Sequence, residues 1–141
     1  MNPNKFLIGG IAGGIAYFLL GWLVYGILLM DFMTNNAGTA TGVMKAQNEM
    51  VWWALIVGNL LSGFALSYVL SKAGVKSAAA GAAMGFVFGL LISAAFDFTM
   101  FGTSNIMTMK GMLADICAST VMSAIVGGIV GFVLGMGKKE G

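Results

Sequence analysis

The chain contains no arginine and no histidine, a single cysteine (Cys117) and a single proline (Pro3), and charged residues make up only 9% of it. Each shortage excludes something. Without histidine there is no imidazole for haem ligation, for a His-based metal motif or for general-base catalysis. One cysteine allows neither an internal disulfide framework nor a thiolate metal cluster. No Gly-rich loop followed by Lys-Ser/Thr offers a phosphate cradle. Soluble domains carry about 25% charged residues, so a chain this poor in charge cannot cover a water-facing surface. What remains for chemistry is a few carboxylates, hydroxyls and tyrosines, too little for an enzyme. We expect no catalytic residues, no cofactor and no nucleic-acid partner.

What the sequence does have is long apolar runs, 59% hydrophobic residues and 22 glycines in 141 positions. A hydrocarbon core about 30 Å thick needs roughly 20 apolar residues of helix. Four stretches meet that length, at about 6–30, 50–71, 77–96 and 112–136. They are continuous and rich in Gly and Ala, unlike the short alternating strands of a membrane barrel. The expected fold is therefore all-α, a single transmembrane domain over 1–141 that forms a four-helix bundle of two antiparallel hairpins. The first stretch is too long for a signal-peptide core and lacks a small-x-small cleavage site, so it reads as a retained helix.

Lys5, Lys72, Lys76, Lys138 and Lys139 fall on one side of these spans, Lys45 and Lys110 on the other. By the positive-inside rule, both termini are expected in the cytoplasm, and the bacterial inner membrane is the expected location. Trp52 and Trp53 open the second span on the outer side, as interfacial aromatics do. Two longer connections lie there. Residues 32–49 read as turn-forming at first and helix-compatible from about Thr41. Residues 98–111 read as an interfacial segment or an outward extension of the fourth helix.

The carboxylates Asp31, Glu49, Asp97 and Asp115 all gather on the outer side, and the interval from Asp31 to Glu49 equals that from Asp97 to Asp115. At that offset only Ala12/Ala78, Ala16/Ala82, Asp31/Asp97, Phe32/Phe98 and Lys72/Lys138 are identical. Equal spacing thus follows from two hairpins crossing one bilayer as readily as from duplication. The four acids are the candidate site: one outer vestibule could hold a hard cation such as Ca²⁺ or exchange protons. The plainer reading is that they solvate helix ends. Asp115 lies inside an apolar run and most needs a partner, with Lys110 and Lys45 as candidates. Asn59, an amide in mid-span, suits a hydrogen bond to a neighbouring helix.

Between helices in lipid, small residues permit the close contact that drives packing. Every fourth residue of the third span gives Ser77, Gly81, Gly85, Gly89, Ser93 and Asp97. The fourth span gives Asp115, Ser119, Ser123, Gly127, Gly131 and Gly135. Run in opposite directions, these lines bring glycines together at one end and serines with carboxylates at the other. The first span adds Gly9, Gly13, Tyr17, Gly21 and Tyr25, and the second Asn59, Gly63, Ser67 and Ser71. Surplus glycine faces would suit association with further copies or with another membrane protein.

The run Gly21-Trp22-Leu23-Val24-Tyr25-Gly26-Ile27-Leu28-Leu29, together with Met122-Ser123-Ala124-Ile125-Val126-Gly127, resembles the first- and last-span signatures of a bacterial family of small four-span membrane proteins of unknown function. Val24 stands where that family has Trp, and Ile27 where it usually has Pro. The resemblance implies a bacterial inner-membrane protein and carries no activity. The first expectation is accordingly a non-enzymatic membrane protein acting through helix association, as a homo-oligomer or an accessory subunit in the lipid bilayer. The alternative is a small cation- or proton-linked transporter or channel that uses the outer carboxylates.

Overall fold

A computed structural model describes residues 1–137; Lys138 and Lys139, counted above for orientation, lie outside the described residues. The described chain is helical. Helix α1 spans Pro3–Leu23 and continues through a π turn, Val24–Leu28. A short α2 covers Met30–Asn35, and a 3₁₀ turn lies at Gln47–Glu49. Three long helices follow, α3 at Trp52–Lys72, α4 at Ala78–Thr103 and α5 at Met109–Gly135. No strand forms among the described residues beyond an isolated bridge between Ala37 and Met107. Four helices, α1 with its π turn, α3, α4 and α5, are long and apolar enough to cross a membrane.

Local chemistry sets the helix starts. The Asn2 side chain accepts from the backbone N–H groups of Asn4 and Lys5 at 3.0 and 3.3 Å, with Pro3 in the first turn, where its missing N–H costs nothing. Ser77 caps α4 through Ala80 N–H, and Thr108 caps α5 through Gly111 N–H, both at 3.2 Å. Gly74, at φ +73°, turns the chain between α3 and α4.

Three expectations are corrected. The third span does not stop at Phe96. Asp97 interrupts apolarity but not helix, and Thr99 and Thr103 fold their hydroxyls back onto the carbonyls of Ala95 and Thr99, both at 2.7 Å. Asp97 consequently lies about 9 Å inside the end of α4, and Asp115 a similar depth inside α5, at 1.5 Å per residue. The first span is not one α-helix to Met30, because it widens into the π turn and breaks at Leu29. In the first outer connection the helix comes at Met30–Asn35, not from Thr41, where the backbone is irregular and Gly42 adopts φ +69°.

The helices pack chiefly as α1 on α3 and α4 on α5, with α5 also against α1 and α3, while α3 and α4 barely touch. Helix α5 is the most buried. Gly81 faces the backbone of Gly127 and Gly131, and Gly85 that of Ser123 and Gly127. A Cβ at Gly81 or Gly127 would collide with a carbonyl oxygen opposite, so these backbones meet only because both residues are glycine. Gly63 fits against Gly10 and Gly14 in the same way on α1. Leu66, Leu70, Val126, Val130 and Leu134 fill the space between the pairs. Large apolar side chains such as Ile8, Ile15, Leu61, Leu91 and Phe132 stand exposed on the outside.

Lys5 reaches the carbonyl of Leu134 at 3.4 Å, and Gly135 lies on the backbone of Lys76. These contacts gather a lysine end. At the opposite end the two long connections pair with each other. Gly38 N–H donates to Ile106 O at 3.1 Å and Ala40 N–H to Asn105 O at 3.0 Å, while the Thr108 hydroxyl donates to Asn36 O at 2.6 Å.

Candidate functional site

Above Gly89 the line on α4 changes from glycine to Ser93 and Asp97, and the facing line on α5 changes to Ser123, Ser119 and Asp115. Side chains now need room, and α1 supplies two tyrosines at this level. Tyr17 and Ser123 share a hydroxyl–hydroxyl bond of 2.8 Å. The Tyr25 hydroxyl, carried on the π turn, donates to Asp115 Oδ1 and lies 3.1 Å from Ser119 Oγ.

Asp97 and Asp115 come together here, on the lining of one cavity. Asp97 is only 2% exposed, and its Oδ2 is enclosed without a hydrogen-bond partner. Two ionised carboxylates offer only acceptors and repel each other, so neither can satisfy the other. A buried oxygen in that position is satisfied when a proton or a cation sits between the pair. Beside it runs a cavity of about 400 Å³, floored by Tyr17, Ser119 and Ser123 and walled by Phe88, Ile92 and Phe96 of α4. Ser62 and Ala65 of α3, both exposed, border its open side, where α3 and α4 stand apart.

The other expected site residues are elsewhere. Asp31 is exposed in the first turn of α2. Glu49 is exposed and accepts from Ala46 N–H at 3.4 Å. The four acids therefore do not form one vestibule: α4 and α5 carry two of them inside the bundle, while the other two ride on the connections. The partner of Asp115 is Tyr25 rather than Lys110 or Lys45. Asn59 does not bridge helices. Its Nδ2 donates to Leu55 O of its own helix at 2.8 Å, and the residue does not line the cavity. Among the described residues no group of three or more Asp, Glu, Cys or His comes together, and two carboxyls fall well short of the six to eight oxygens that Ca²⁺ takes.

The tyrosines were visible in the sequence only as members of a small-residue line. The usable signal was that Tyr17 and Tyr25 replace glycine in that line at the level where α5 turns to Ser and Asp. Comparison with family models, curated proteins and solved structures finds no match to this chain.

Proposed function

We propose that the chain is an integral membrane protein built of two antiparallel transmembrane hairpins, α1/α3 and α4/α5, and that it binds and exchanges a cation at the Asp97–Asp115 pair. The proton or a monovalent cation suits the pair better than Ca²⁺. The reading makes it a small transporter or channel rather than an enzyme, with the lysine end in the cytoplasm of a bacterial inner membrane. One observation carries it: a carboxyl oxygen on a membrane-length helix, fully enclosed and unpartnered, facing a second carboxyl beside a cavity. Ionisable groups so placed are costly and mark ion or proton paths.

Reconstitution into liposomes tests this reading. Wild-type protein should carry proton or Na⁺ flux under an imposed gradient, and Asp97→Asn should lower it by about tenfold or more. Equal flux with wild-type protein and with empty liposomes would end the proposal.

Association is the second reading, as a homo-oligomer or as a subunit beside another membrane protein. Its support is narrower than the glycine count suggests, because the lines on α1, α4 and α5 are consumed inside the bundle. The remaining support is the outer face of α3, where Gly58 has open space before it and Leu61 is 63% exposed. Native mass spectrometry of protein extracted from its own membrane, with Gly58→Leu beside it, tests that face. A single species of one chain mass in both would exclude it.

A further inference from the structure

We infer that the ligand of this cavity is an organic ammonium ion with an apolar body, admitted sideways from the bilayer between α3 and α4. The inference rests on the cation reading of the Asp97–Asp115 pair and adds the chemical class of the cation. Three observations carry it. The cavity, at about 400 Å³, lies in the range of organic-ligand pockets, about 300–1,000 Å³, and far exceeds what a bare ion fills. It is also two-sided. Asp97 and Asp115 supply negative charge at one place, with the enclosed, unpartnered Asp97 Oδ2, while Phe88, Ile92 and Phe96 supply a wall with nothing to offer a hydrated ion. An ammonium group balances the negative charge of the pair, while its hydrocarbon part covers the aromatic wall. Aromatic faces add attraction for such cations.

The third observation is access. At the aspartate end the two connections are pinned together by backbone hydrogen bonds, but the flank between α3 and α4 is bordered by the small side chains Ser62 and Ala65. A molecule that partitions into lipid reaches the carboxyls through that flank.

The test uses the full chain in lipid nanodiscs and isothermal titration calorimetry with 2-phenylethylammonium, its neutral counterpart 2-phenylethanol, and Na⁺. Saturable binding of the amine with about one site per chain is expected, with the alcohol and Na⁺ at least about tenfold weaker. Asp97→Asn should weaken the amine by about tenfold or more, because it takes one partner from the ammonium–carboxylate pair. Ser62→Trp, on the exposed border, should weaken the amine comparably. Proton uptake on acidification, followed with a pH indicator in weak buffer, separates the two proposals, because it depends on Asp97 and needs no amine. Equal binding of amine and alcohol overturns the inference. So does absence of amine binding in a protein whose proton uptake depends on Asp97, and the cation reading then stands. Loss of both signals in wild-type protein removes the two together.

Discussion

The α4–α5 interface has two halves that share one residue interval and differ in everything else. Towards the lysine end, Gly81 and Gly85 lie on Gly127 and Gly131, and backbone touches backbone. Towards the aspartate end, the same lines present Ser93, Asp97, Ser119 and Asp115. There the helices enclose hydroxyls, accept two tyrosines from α1 and border a cavity. A repeat of four thus serves two purposes. With glycine it closes an interface by dispersion and weak carbonyl contacts; with serine and aspartate it aims polar groups inward along the same face.

The glycine half should break hardest. Gly127→Leu places a side chain where Gly81 O now sits, and overpacking of this kind costs about 1–3 kcal/mol or more. We expect loss of most folded protein, read as aggregation on size-exclusion chromatography and a lower midpoint in thermal unfolding. A folded yield equal to wild type would show that the helices can part without penalty. Next in size, Tyr25→Phe removes the donor to Asp115 Oδ1 and leaves a second carboxyl oxygen short of a partner, at a cost of about 1–3 kcal/mol. Cation flux in liposomes should fall with it; unchanged flux would place Tyr25 outside the site. Tyr17→Phe deletes one hydroxyl pair with Ser123 and should cost only about 1 kcal/mol, seen as a small shift in unfolding with flux retained. Smallest of all, Asp31→Asn and Glu49→Gln touch exposed acids on the connections. Stability should stay within about 0.5 kcal/mol and flux should not change, and a large flux defect in either would restore the vestibule of four acids.

These contrasts show which parts of the molecule were legible in advance. The four long helices follow from hydropathy, and the glycine partners from the interval of four, because an apolar helix has few other ways to approach another closely. The singling out of Asp97 and Asp115 followed from the same lines. Depth was harder to read. A charge at Asp97 looks like a helix end, and only the back-bonded threonines beyond it show that the helix runs on. Acids gathered on one side allow a shared vestibule, but Asp31 and Glu49 ride on short helical turns of the first connection, outside the four long helices. Opposite charge points to a lysine partner for Asp115, whereas the bundle supplies a phenol from a helix distant in sequence. A mid-span amide at Asn59 suits an interhelical bond, yet the carbonyl of Leu55 one turn back takes its donor instead.

The pairing of the two long connections has a mechanical consequence. Covalently, the first pair of helices joins the second only through the turn at Gly74. The backbone bonds between 36–40 and 105–108 fasten the opposite end, so the chain is clasped at both tips like a pair of tongs with a latch. The flank between α3 and α4 is therefore tied at both of its ends, by covalent chain at one and by hydrogen bonds at the other.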